Sequence, residues 1–265
     1  MVRVYLASFE ADKEINKYID YRLVSYLSHK SLNDDFWKQS ENFKSLIVDS
    51  GAFTFFNAAG KGRKQINKKV FQKLDPVKYT TEYCEWIIKH KKNIDYFVEL
   101  DLDKIYGWDK QLELRKIFED YNLTPIYVWH YTNKMSWEEM CKKYDYVGIG
   151  SSGRRRDLSF LLKKLKVAEK YGTKCHIFGY SRINELSKLS KMKSLFSVDS
   201  SSWGAGIKYG VFYYFDGRNL QMLGKDKFVK KFGKRFGGLD SNEIQKWNVT
   251  QWNNYSNYLV SQEEK

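Results

Sequence analysis

Eight short runs of apolar, β-branched or aromatic residues punctuate the chain and constrain its fold more than any other feature. They are Val2–Phe9, Leu46–Phe53, Tyr96–Leu100, Pro125–Tyr131, Tyr146–Gly150, Cys175–Tyr180, Leu195–Asp199 and Val211–Phe215. Most are continuous rather than alternating, the pattern of strands buried on both faces. Helical periodicity fills the intervals, as in Pro76–His90, Trp108–Tyr121, Ser136–Lys143, Leu158–Tyr171 and Arg182–Lys191. Asp75-Pro76 reads as an N-cap followed by Pro at the first helical position, and Asp157 as the cap of a helix starting near Leu158. Strands alternating with helices over 265 residues predict an α/β chain, a (β/α)8 TIM-type barrel, a fold of about 250 residues. A doubly wound open sheet would explain the alternation equally well, but no GxGxxG opens a helix after the first strand.

The barrel is expected over 1–224, with a helical extension over 225–265 packed on it as part of one domain. Asp216-Gly217 sits between two β-prone runs within Phe212–Leu223 and signals a hairpin. Lys225–Tyr258 then reads as helices rich in Lys and Trp. No apolar run approaches the roughly 20 residues of a membrane helix. Met1–Glu14 meets charge too soon for a signal peptide. Cys84, Cys141 and Cys175 are widely spaced and odd in number, against a disulfide framework or a Cys-rich zinc knot. The expected setting is therefore cytoplasmic.

The formal charge is +14, which suits a polyanionic partner such as nucleic acid. A Lys-, Asn- and Tyr-rich, Pro-poor composition also follows from AT-rich coding, so charge alone does not choose between them. Its placement says more. Lys61, Arg63 and Lys64, with Lys68 and Lys69, follow one strand-end segment; Arg154, Arg155 and Arg156 follow another; Lys225–Arg235 forms a third cluster. Lysines and arginines beside a barrel mouth are where phosphates would pass.

In a barrel, chemistry collects where strands end and βα loops begin. The predicted ends carry Asp49-Ser50-Gly51-Ala52-Phe53, Asp101 with Asp103, His130, Gly148 with Gly150, Phe178-Gly179 and Asp199. Asp103 reads as a helix cap or solvated side chain. His176 falls at the start of its run, at the opposite rim. Gly148 and Gly150 either relieve crowding or let a flat ligand approach the backbone. Phe53, Tyr106, Trp129, Phe178, Tyr180 and Trp203 could build an aromatic slot, although core packing explains most of them. Two separated carboxylates suit glycosyl chemistry, one attacking the anomeric carbon and the other moving a proton at the leaving group.

Leu46–Phe53 resembles the DSGGF segment of the tRNA-guanine transglycosylases. Tyr96–Asp101, Tyr146–Ser151, His176–Gly179 and Ser197–Trp203 are similar, in the same order, to that family's later site strands. The likeness spans roughly Val2–Gly224. Gly224–Lys265 contains no Cys and no His, so the tRNA enzymes' zinc site has no ligands there. Ala52 replaces the family's second Gly, Thr54 stands where Gln is usual, and the segment near His130 lacks Gln-Gly-Gly. The DSGAF and VDSSSW forms are more similar to the DNA-acting branch, many of whose members are phage-encoded. In that branch guanine in DNA is exchanged for a 7-deazaguanine such as 7-cyano-7-deazaguanine.

The resemblance implies Asp199 as nucleophile and Asp49 as general acid/base. It implies base contacts from Ser50, Gly51, Phe53, Asp101, His130, Gly148, Gly150, Phe178 and Gly179. It calls for no cofactor and no metal. DNA and a free deazaguanine base are the implied partners, within a host cytoplasm if the chain is phage-encoded. Three alternatives remain: a tRNA-acting enzyme of the same fold, a DNA glycosylase that hydrolyses the same intermediate, and a non-catalytic DNA-binding barrel.

Overall fold

The computed structural model describes residues 2–7, 13–29, 34–52, 75–131, 133–150, 156–204, 206 and 209–262. Eight parallel strands form one curled sheet: β1 (Arg3–Ala7), β2 (Tyr21–Ser25), β3 (Ser45–Asp49), β4 (Tyr96–Phe97), β5 (Tyr127–Trp129), β6 (Tyr146–Ile149), β7 (Lys174–Ile177) and β8 (Leu195–Ser200). Their order is β4-β3-β2-β1-β8-β7-β6-β5, so β1 lies beside β8. The two ends meet through a parallel bridge, Val98 to Ile126. The amide of Ile126 donates to Phe97 O (2.7 Å), and that of Glu99 to Ile126 O (3.2 Å). The TIM-like α/β architecture matches the expectation.

The strand inventory differs in one member. Tyr21–Ser25 is a barrel strand that the apolar runs do not mark, because Arg22 interrupts it. Arg22 is fully buried and donates from Nη1 to Leu6 O at 3.0 Å. Val211–Phe215, counted among the eight runs, instead forms β9 and pairs antiparallel with β10 (Leu220–Gly224). Asp216 holds the hairpin turn by accepting from the amides of Arg218 and Asn219.

Helices cover the sheet. In chain order, α1 (Lys13–Asn16), α2 (Tyr26–His29) and α3 (Asp34–Ser40) precede α4 (Pro76–His90). Then come α5 (Asp103–Tyr106), α6 (Trp108–Asp120), α7 (Trp137–Lys143), α8 (Leu158–Tyr171) and α9 (Ile183–Leu189). The caps are those the sequence announces. Asp75 accepts from the amides of Val77 and Lys78, and Asp157 from that of Phe160. Leu161, Leu165 and Ala168 give α8 its buried stripe at helical spacing. After the hairpin, α10 (Lys225–Phe232) and α11 (Ser241–Ser261) close the chain. The α11 helix packs on β1 and β9, and Ser256 Oγ accepts from the amide of Val4 at 3.0 Å. No helix among the described residues is long and apolar enough to cross a membrane.

The barrel seam is built by one buried ion pair. Glu99 accepts from Arg115 of α6 in bidentate fashion, at 2.7 Å to each oxygen, and both side chains are buried. Its Oε1 also accepts from the amide of Val128 (2.6 Å), standing in for a strand-to-strand bond between β4 and β5. Gln111 donates to its Oε2 at 2.9 Å. Four donors on one carboxylate are what make a buried charge tolerable.

Candidate active site

Side-chain alternation decides which groups enter the barrel. On β3, Ser45 meets the hydroxyl of Tyr5 at 2.8 Å, and Ile47 joins the inner cluster of Tyr5, Tyr21, Leu23, Val98, Ile126 and Val128. Asp49 shares their face. On β8, Ser197 meets the hydroxyl of Tyr146 at 2.6 Å, and Asp199 shares its face. Both acids therefore end inward-facing rows at the C-terminal ends of their strands.

Asp49 is half-buried, and its Oδ2 accepts from the amide of Gly51 at 3.1 Å. Gly51 has φ +92°, and a Cβ there would meet Leu27 Cβ at 2.7 Å, so this turn requires glycine. Two tyrosines of α4 brace the loop. Tyr79 donates to Ser50 O (2.6 Å) and Tyr83 to Val48 O (3.0 Å). Burial is the main cause that raises both phenols, and the nearby Asp49 charge adds to it. Ser50, expected at the base, is buried and donates to Glu99 O at 2.9 Å.

Asp199 is 8% exposed. Its Oδ1 accepts from the amide of Gly179 at 2.8 Å and lies 3.1 Å from His176 Nε2. The turn Phe178-Gly179 after β7 delivers that amide, and Gly179 takes the left-handed φ of +58°. The amide of Tyr180 donates to Asp199 O (2.7 Å), pinning the same turn to β8. His176 is the residue that sequence reasoning misplaced. It is fully buried, registers with Ser197, and reaches Asp199 rather than the opposite rim. Its inward parity with Phe178 was the available signal.

A second acid–imidazole pair stands across β4 and β5. His130 Nε2 lies 2.6 Å from Asp101 Oδ2. His130 is buried, and its Nδ1 has no hydrogen-bond partner among the described residues. Asp103 is neither a cap nor freely solvated. It opens α5 half-buried, with Leu102 in the cap position. Burial pushes its carboxyl above the usual range, with the Asp101 charge adding to the effect and His130 opposing it.

Gly148 and Gly150 are both covered. A Cβ on Gly148 would overlap the Phe178 ring, and one on Gly150 the His130 ring. The two glycines thus seat these rings against β6. Phe178 also lies 4.3 Å, centroid to centroid, from the His176 imidazole. Among the other aromatics, Trp129, Tyr180 and Trp203 belong to the main core cluster, and Trp203 Nε1 donates to Ala7 O at 2.8 Å. Tyr106 packs half-buried against the second cluster.

Arg156 donates from Nη1 to Ile149 O (3.2 Å) and Phe178 O (2.8 Å), tying the ends of β6 and β7. Burial lowers its pKa, and the Asp199 charge works against that lowering. Phe53, Lys61, Arg63, Lys64, Lys68, Lys69, Arg154 and Arg155 lie outside the described residues. The third basic cluster borders an open cleft of about 620 Å³ lined by Lys225, Lys230 and Lys234, with none of the site acids in it. No group of three or more His, Cys, Asp or Glu side chains among the described residues is placed to hold a metal ion.

No family model and no curated protein matches this chain.

Proposed function

We propose that the protein is a DNA guanine transglycosylase that exchanges guanine in DNA for a 7-deazaguanine base. One observation carries the reading: Asp199 presents a carboxylate at a barrel mouth with Oδ1 held by the Gly179 amide and His176. Asp49 shares the inward face and the same end of the barrel. A fixed carboxylate opposite a second acid supplies the parts of a double displacement at an anomeric carbon.

In the first half-reaction Asp199 bonds to C1′ of a deoxyguanosine as the C1′–N9 bond breaks. The electron pair leaves with the purine, and Asp49 supplies the proton that neutralises it. In the second half-reaction N9 of the deazaguanine attacks C1′ and the C1′–Asp199 bond breaks. The N9 proton passes to Asp49, restoring its starting state. Asp101, held by His130, accepts from the N1–H and 2-amino edge common to both bases. Phe178 and His130 wall the base slot, so the base meets those rings rather than bare glycine backbone. The target nucleotide must leave the duplex or come from a single strand, because a stacked base cannot reach a barrel mouth.

DNA is favoured over tRNA because Gly224–Lys265, which forms α10 and α11, offers no Cys or His for the tRNA enzymes' zinc. The test is exchange of labelled free guanine into DNA and into tRNA, in parallel. Label in DNA alone is expected. Label in tRNA alone would move the substrate assignment, and no label in either would overturn the transglycosylase reading.

A further inference from the structure

The proposed mechanism gives no task to a buried imidazole beside the nucleophile. His176 is wholly enclosed, yet it contacts the proposed nucleophile. On its other side Nδ1 lies 2.6 Å from Ser197 Oγ, and Ser197 Oγ lies 2.6 Å from the Tyr146 hydroxyl. Tyr146, Ser197, His176 and Asp199 thus form a continuous chain from the barrel floor to its mouth.

The chain has one proton arrangement that gives every proton an acceptor. Burial holds the Tyr146 phenol well above its ordinary pKa, so that hydroxyl carries a proton, and Ser197 is its hydrogen-bond partner. Ser197 then donates to Nδ1 of His176, and His176 must carry its proton on Nε2, facing Asp199 Oδ1. In the reverse arrangement the tyrosine hydroxyl would find no acceptor among the described residues, and an unprotonated Nε2 would face a carboxylate lone pair. A buried unsatisfied donor costs on the order of 1–3 kcal/mol, and the second fault adds to it.

We infer that His176 is a positioning residue for Asp199: with the Gly179 amide it engages Oδ1, so that Oδ2 is the oxygen that attacks. This rests on the proposed transglycosylase reading. In the covalent intermediate Oδ2 is bonded to C1′ and Oδ1 is the ester carbonyl oxygen. When the C1′–Oδ2 bond breaks, its electron pair returns to the carboxylate. The two donors on Oδ1 stabilise that returning charge, as fixed hydrogen-bond donors do wherever charge develops in a transition state. Tyr146 and Ser197 act one step further back by fixing the tautomer, as outer partners of a histidine commonly do.

Two measurements test this on the full chain. Nitrogen NMR of the ¹⁵N-histidine-labelled protein should show His176 bare at Nδ1 and protonated at Nε2. A proton on Nδ1, or on both nitrogens, overturns the inference. In single-turnover reactions with DNA and 7-cyano-7-deazaguanine, His176→Phe should slow breakdown of the adduct by about 100-fold, the step in which charge returns to Asp199. The KM for the base should stay within about threefold, since no contact to the base is lost. His176→Gln, whose amide N–H can reach Oδ1, should recover to within about tenfold of wild type. Equal loss in Phe and Gln variants that fold, or no loss in either, also overturns it. Wild-type protein that shows the expected tautomer but forms no DNA adduct would instead sink the transglycosylase reading.

Discussion

His130 Nε2 lies 2.6 Å from Asp101 Oδ2, joining the ends of β5 and β4 across the seam of the barrel. The two residues are 29 positions apart, and only closure of the sheet brings them together. The pair fixes the carboxylate that, in the account given above, reads the base edge. His130→Ala should therefore weaken base binding more than chemistry. We expect KM for the deazaguanine to rise about tenfold, the value of a lost charge-assisted hydrogen bond of roughly 1.5 kcal/mol. Steady-state kinetics at varied base concentration checks this, and a fall in kcat with unchanged KM would contradict it.

Gly148 in β6 and Gly150 just after it give a steric prediction. A Cβ at position 150 would overlap the His130 ring, and one at 148 the Phe178 ring. Gly150→Ala should displace His130 and loosen Asp101, whereas Gly148→Ala should displace Phe178 and leave that pair intact. Each substitution overpacks the barrel mouth and should cost about 1–3 kcal/mol in urea unfolding. Base affinity should fall most in Gly150→Ala if the Asp101–His130 pair recognises the base.

Glu99 and Arg115 are buried together at the seam, and the Glu99 carboxylate also accepts from Gln111 and from the Val128 amide. Glu99→Ala leaves the guanidinium without its counter-charge and opens the β4–β5 junction. The expected loss is about 3–5 kcal/mol by chemical denaturation. A loss near zero would mean that the seam does not depend on this carboxylate.

Buried phenols and thiols predict an alkaline limit. Burial raises Tyr5 to about 12, and Cys84 and Cys141 each to about 12 from 9.0. The folded chain keeps these protons at pH values where the unfolded chain has released them. Their contribution is full below the unfolded values, near 9 for the thiols and 10 for the phenol, and is lost as pH rises toward 12. Urea midpoints should fall progressively above pH 9. A midpoint unchanged between pH 8 and pH 11 would contradict the burial of these groups.

Much of the barrel is legible in the sequence because β1, β3, β6 and β7 are short apolar runs and α4 and α8 carry their own caps. The second strand escapes because its second residue, Arg22, looks like surface, although it is buried against Leu6 O. The fourth is marked by the run Tyr96–Leu100 but is shorter than that run, two residues long, and its junction with β5 is completed by the Glu99 side chain. At the site, Asp49 and Asp199 stand out as acids ending apolar runs. The partners do not. His176 sits inside a run that continues to Tyr180, and only β7 ending at Ile177 shows that it lies near the mouth. Asp103 looks like a cap in the sequence because its burial depends on α5 folding back beside His130.

The proposed base exchange at Asp199 leaves its product in the DNA itself. Its most direct test is mass spectrometry of nucleosides released from DNA incubated with the protein and 7-cyano-7-deazaguanine. The account predicts the corresponding deazaguanine deoxynucleoside in place of deoxyguanosine, with wild type and not with Asp199→Ala. DNA that stays unmodified, DNA that gains only abasic sites, or modification that persists in Asp199→Ala would contradict it.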